Sequence, residues 1–261
     1  MNNGLQYKKW FPLFRVVLPV LLLFLCLGLI NHERTERRMG VVKLTFLLNV
    51  NGRPLVLNDT LYNNIFGEPY RLSKFKFYVG EPGLKNLKQA EKEKQGYHLV
   101  DATQPQSQRI SFALKPGEYN ELFFTLGIDS ARNCSGAQTG ALDPMNDMFW
   151  TWNSGYVMVK MEGVSAVSSS VNQRFEYHIG GYKGKNSAVR TIALKFASPL
   201  AILPGKTTEI PVVIEINNWW NKQYPLSIKD YPVCTTPGEM AGRISLNYKN
   251  MFSLRPGAVS K

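Results

Sequence analysis

The side chains best equipped for chemistry gather in and around one stretch, Leu122 to Gly163 (LFFTLGIDSARNCSGAQTGALDPMNDMFWTWNSGYVMVKMEG). Met145, Met148 and the indoles of Trp150 and Trp152 lie inside it, and His98 and His178 lie on either side. Imidazole and thioether donors suit copper, and thioether in particular selects Cu(I). The chain has three His, and His32 adjoins an N-terminal apolar run, so a copper centre has at most two imidazoles to draw on. Trp150 and Trp152, two apart, point the same way in an extended chain. With Tyr156 they offer an alternative: a metal-free platform that stacks a glycan or protein partner. Ordinary duty competes with both readings, His98 and His178 as strand residues and Met145 and Met148 as loop packing. Asp129, Asp143 and Asp147 share the stretch; carboxylates can hold a hard cation, but in loops they more often make turns and caps. No GxSxG, HExxH, P-loop or GxGxxG in a βαβ setting occurs, so no catalytic residues and no enzyme are expected.

These residues need a frame, and the frame reads as β. Leu122, Phe124, Leu126 and Ile128 fall on one side of an extended chain before the central connection, and Tyr156 to Met161 resumes an extended pattern after it. A loop of that length is usually functional or disordered, and a disordered one would not carry two tryptophans. Period-two patterns recur at Val41 to Leu48, Arg71 to Val79, Arg174 to Ile179 and Glu209 to Asn217, with shorter runs at Tyr97 to Ala102, Ile110 to Leu114 and Val189 to Phe196. Asn51-Gly52 reads as a hairpin turn. Gly180-Gly181, after His178, marks a bend or a close approach of another group. Lys-rich Glu81 to Gly96 reads as a solvated loop or short helical excursion, and the tail from Pro225 as irregular, with an amphipathic turn at Leu246 to Phe252. Roughly nine short strands without long helical periodicity argue an all-β, antiparallel β-sandwich of Greek-key or Ig-like type with long irregular loops. The domain is expected to span residues 41–261 as one unit.

Composition and the N-terminus place the chain in a compartment. With 261 residues, 44% hydrophobic and 12% aromatic, it buries a sizeable core. The net charge is +12; residues 1–40 carry six Lys or Arg against two Glu, so the remainder keeps +8. That remainder has no dense basic run, which argues against nucleic acid and for an anionic membrane or cell-surface polymer. Residues 1–10 form a basic cytoplasmic tip, 11–30 an apolar helix acting as signal anchor or signal peptide, and 31–40 a tether, so the protein is expected in the cell envelope, periplasmic or extracytoplasmic, held to the membrane by its N-terminus. In that oxidising compartment Cys134 and Cys234 are expected to pair as a disulfide, worth at most roughly 4.7 kcal/mol for a loop of about 100 residues. The rival reading, soft metal ligands, lacks a CxxC spacing.

The central run from Phe124 to Gly163, with LYNNIFGEPYRLSKFKFYVG upstream and FEYHIGG and NYKNMF downstream, resembles the signature of the MbnP family, the copper-associated envelope proteins of methanobactin gene clusters and related metallo-mystery pair systems. The resemblance spans most of residues 41–255, and FWTWNSGY is its most specific segment. It implies an exported β-sandwich that binds copper and is paired with a dihaem cytochrome c peroxidase-like protein of the MauG or MbnH type. In such pairs the partner oxidises a tryptophan to kynurenine, whose carbonyl and amine join histidines in a Cu(I) site. Carried onto this chain, that tryptophan is Trp150 or Trp152, and the histidine of the FEYHIGG motif is His178. The sequence departs from the family in lacking its histidine-rich segments and in reducing a four-Cys pattern to Cys134 and Cys234.

Overall fold

The computed structural model describes residues 39–94, 96–136, 138–151 and 154–256. The expectations for residues 1–38 and for Trp152 lie outside them. Among the described residues no helix is long and apolar enough to cross a membrane.

Alternation of apolar and polar residues builds the first strands. β1 (Gly40–Val50) buries every second residue from Gly40 to Val50 and turns through Asn51 and Gly52, both at positive φ (53° and 72°), into the short β2 (Arg53–Pro54). Paired positive φ values are what a two-residue hairpin turn requires. Then come β3 (Tyr62–Asn63), the long β4 (Pro69–Lys85), β5 (Ala90–Lys92) and β6 (Tyr97–Asp101). β7 (Arg109–Leu114) and β8 (Gly117–Leu126) lead to the central connection, which holds helix α1 (Ser130–Asn133) and β9 (Phe149–Thr151). β10 (Gly155–Val164), β11 (Arg174–Gly180), β12 (Arg190–Ile202) and β13 (Thr207–Glu215) follow. The chain ends with α2 (Asn218–Asn221), β14 (Val233–Cys234), α3 (Glu239–Tyr248) and β15 (Phe252–Leu254).

Two sheets result. The smaller joins β15, β13, β1 and β2, with β7 on β1; the larger runs β12-β8-β4-β10-β11-β14, with β3, β5, β6 and β9 attached. They face each other through interlocked aromatic rings. Phe46 of β1 and Phe252 of β15 each meet Phe77 of β4 and Phe124 of β8 edge-on, at centroid distances of 5.5–6.0 Å. Edge-to-face contacts at this spacing stabilise beyond the area they bury. A second cluster closes the β11 side, where Trp219 and Trp220 pack on Tyr177, with Trp220 also against Tyr70 and Phe175, all fully buried.

The sandwich matches expectation, but its pairing is mixed rather than wholly antiparallel. β1 lies parallel to β13, and β11 parallel to β14. Other segments differ as well. β4 continues to Lys85, pairing with β8 on one side and β5 on the other, so the Lys-rich stretch begins as a hairpin within the larger sheet. The tail carries the ten-residue helix α3 where irregular chain was expected.

Candidate functional site

One face of the β6-β4-β10-β11 row collects charge. The registers place Lys160 opposite Lys76 and His178, Glu162 opposite Lys74 and Glu176, and Asp101 opposite Lys76. Side chains at paired positions share a face, so these seven project together. The central connection lies over them, which is why β10 is buried on both faces from Gly155 to Gly163.

Three lysines hold that connection down. Lys74 Nζ reaches Asp147 at 2.9 Å and Glu162 at 3.3 Å, Lys76 Nζ reaches Asp101 at 3.0 Å and donates to the Asn146 carbonyl at 3.3 Å, and Lys160 Nζ reaches the Asp147 carboxylate at 3.0 Å and also donates to the Asp147 carbonyl. Lys160 is a nearly buried ammonium, 4% exposed at its side chain, so its two oxygen partners offset a large desolvation cost. Asp147 stands in the left-handed region (φ 61°), which redirects the chain into β9. The other loop aspartates also have structural work. Asp129 caps α1 by accepting from the Arg132 N–H at 3.0 Å, and Asp143 accepts from the Met145 N–H at 2.9 Å.

Trp150 and His178 are brought to the same place. Trp150, half-buried on β9, lays the edge of its indole against Gly180, in the space a β-carbon there would fill. Gly180 lies two residues beyond His178 on β11, hence on the same side of the strand and roughly 7 Å along it. His178 Nε2 lies 2.8 Å from Glu162 Oε1. The hydrogen bond with His178, aided by the Lys74 charge and opposed by burial, holds the Glu162 carboxyl down at about 2. An ionised carboxylate only accepts, so Nε2 carries a proton in this contact, and in the neutral imidazole the lone pair then lies on Nδ1. A carboxylate behind an imidazole is the usual support of a histidine that ligates metal.

A family model described as MbnP matches residues 39–236, from the start of β1 to just past β14. The chain belongs to the MbnP family. Among solved structures it is similar to MbnP from Methylosinus trichosporium, with a TM-score of 0.51 and 13% identity over 77% of this chain and 83% of that one. At that identity the likeness concerns the fold. No curated protein matches the chain. The MbnP region takes in Trp150, His178, Glu162 and the three lysines, and excludes α3 and β15.

The remaining candidates in this MbnP chain do not converge on that face. His98 sits on β6 with Nε2 2.7 Å from Glu93, and β4 and β10 stand between it and β11. At about 4.8 Å per strand, β6 and β11 are roughly 14 Å apart, and His98 lies three residues along β6 from Asp101, the position in register with His178 through Lys76 and Lys160. Met145 is 89% exposed while Met148 is fully buried, so they cannot share an ion. Tyr156 is fully buried, its hydroxyl donating to the Leu142 carbonyl at 2.7 Å and its ring edge-on to Phe149, which removes it from any stacking platform. Cys134 and Cys234 are free thiols, the first exposed and the second buried, so the expected bridge is not formed. Among the described residues no group of three or more His, Cys, Asp or Glu converges as a metal site. The described, unmodified donor set near Trp150 therefore amounts to one imidazole, too few to fit copper unaided. Glu162, Lys74 and Lys160 escaped sequence reasoning; the one available signal was an acid and a lysine set among the apolar residues of β10.

Proposed function

We propose that this MbnP-family chain is an extracytoplasmic copper-associated protein whose working face is the Trp150–His178 side of β11, and that its copper affinity depends on oxidation of a tryptophan there. The observation that carries this reading is the seating of the Trp150 indole on Gly180, which sets an oxidisable ring beside an imidazole that Glu162 orients. The donor count supports the dependence on oxidation. One imidazole is a poor Cu(I) site, whereas cleavage of the Trp150 C2–C3 bond, with peroxide or dioxygen as the oxidant and hydrolysis releasing C2 as formate, would leave kynurenine, whose ketone oxygen and arylamine lie on the same face. The family resemblance supplies the agent, a dihaem partner of the MauG type. Partial exposure of the indole suits electron transfer to a docked protein better than full burial does.

The test is to purify the protein from a copper-supplemented host with and without a dihaem partner, then measure the copper-to-protein ratio and the masses of the peptides carrying Trp150 and Trp152. The expected result is copper bound only where one tryptophan has been converted. Near-zero copper together with unmodified indoles in the presence of the partner overturns the proposal.

A further inference from the structure

A second concave feature lies where the 224–231 segment meets α3 and the turn before β4. It is an open cleft of about 470 Å³ walled in part by Phe66, Tyr224, Tyr231 and Met240, with Asp230 and Arg243 beside them. That volume is in the range of small-ligand sites. The chain buries its other large rings in this region, including Trp219, Trp220, Tyr70, Tyr177 and Tyr248. Phe66, Tyr224 and Tyr231 instead stand 41%, 36% and 44% exposed around one opening.

The walls are fixed from beneath. Asn64 Oδ1 accepts from the N–H groups of Phe66 and Glu68 at 2.9 and 3.0 Å. The Glu68 carboxylate, in a residue only 8% exposed, accepts from Ser227 Oγ, Ile228 N and Lys229 N at 2.8, 2.8 and 3.1 Å. Asn247, fully buried, accepts from the N–H groups of Gln223 and Tyr224 and donates to the carbonyls of Trp219 and Tyr224, all at 2.7–2.8 Å. One asparagine–glutamate pair thus positions both Phe66 and the opposite wall. A backbone anchored in this way presents the rings from fixed positions, which lowers the ordering cost when a ligand arrives.

We infer that this cleft binds a neutral saccharide, with a pyranose ring stacked on Tyr224 and Tyr231. The C–H face of a pyranose is apolar and matches a phenol ring. Its hydroxyls donate to the Asp230 carboxylate, which has no side-chain partner among the described residues. They also accept from Arg243, which lies 5.9 Å over the Tyr224 ring and gives one nitrogen to Glu239 at 2.6 Å. An anionic ligand would meet Asp230 and a cationic one Arg243, whereas a hydroxyl serves both. A proline-rich peptide, which also favours aromatic grooves, could accept from Arg243 through its carbonyls but, with no N–H to donate, would cover Asp230 without satisfying it.

The full-length protein is titrated calorimetrically, and examined by saturation-transfer NMR, with maltotetraose, cellotetraose, chitotetraose and a proline decapeptide. At least one saccharide is expected to bind at millimolar concentration or tighter, with transfer to its ring protons. Tyr224→Ala and Tyr231→Ala are each expected to weaken it roughly tenfold, and Asp230→Asn severalfold, with circular dichroism and melting unchanged. Because Asp230→Asn keeps the side chain's shape, it stands in should a tyrosine variant fail to fold. Failure of all three saccharides, binding of the peptide alone, or saccharide binding that survives loss of both tyrosines overturns the inference.

Discussion

A β-carbon on Gly180 would stand 2.4 Å from Cζ3 of Trp150, closer than real side chains approach, so the two residues exist as a pair. The indole is seated by the absence of a side chain on β11, and the FWTWNSGY and FEYHIGG motifs meet at this point.

Gly180→Ala therefore forces the indole off its seat. Overpacking of this kind costs about 1–3 kcal/mol, and each kcal/mol lowers the melting midpoint by roughly 2–4 °C in a domain of this size. A thermal melt reads the loss, and, if Trp150 is oxidised as proposed, peptide mass after exposure to a MauG-type dihaem protein is expected to show less conversion of it. An unchanged melt would mean that the indole does not rest there.

Much of the fold could be read from period two. β1, β11 and β13 each bury alternate residues, and the sequence shows it. α3 was hidden for a physical reason: its apolar stripe is thin, Ala241, Ile244 and Tyr248, and half of what it buries is Gly242, Ser245 and Asn247, small or polar groups that blur the period. β10 misled in the opposite way, because the connection pinned by Lys74, Lys76 and Lys160 covers its second face and buries Tyr156. Parallel pairing of β1 with β13 joins Val41 to Thr207 across most of the chain, and no local signal carries that. Of the site, His178 and Trp150 were legible by residue type; the part played by Glu162 depends on a register between strands.

Acid is expected to loosen the saccharide cleft. Burial pushes the Glu68 carboxyl up, but the hydrogen bonds from Asn64, Ile228, Ser227 and Lys229 together hold it below its ordinary 4.5. A folded-state value below the unfolded one adds stability that is fully present above the unfolded value and is lost as pH falls through the folded one. Stability should therefore fall with acidification below 4.5. Glu68→Gln should flatten that part of the profile and cost about 1–3 kcal/mol at neutral pH, since a Gln amide turns donors toward N–H groups. Urea unfolding across the acid range checks both.

The two thiols should react very differently. Burial pushes the Cys234 thiol up to about 11, which keeps it protonated and unreactive at neutral pH. Cys134 is exposed, with Sγ 3.7 Å from the Tyr182 hydroxyl. A maleimide is expected to modify Cys134 in the native protein and Cys234 only after unfolding, with peptide masses separating both from Cys26. If neither is modified until a reductant is added, the two are bridged in solution.

The separation of His98 from His178 gives the sharpest test of where copper is held. A shared ion would need both imidazoles within ligand reach, and two intervening strands forbid it. His98→Ala is thus expected to leave the copper-to-protein ratio of partner-treated protein unchanged, and His178→Ala to abolish it. Glu162→Gln replaces a carboxylate that can only accept with a neutral amide that can also donate, so the His178 tautomer is no longer enforced while the ligand is untouched, and affinity should weaken roughly 10- to 100-fold rather than vanish. Competition with a Cu(I) chelator ranks the three. Equal losses from His98→Ala and His178→Ala would place the metal elsewhere, whereas a graded series of none, partial and complete assigns it to the face that Trp150 shares with His178.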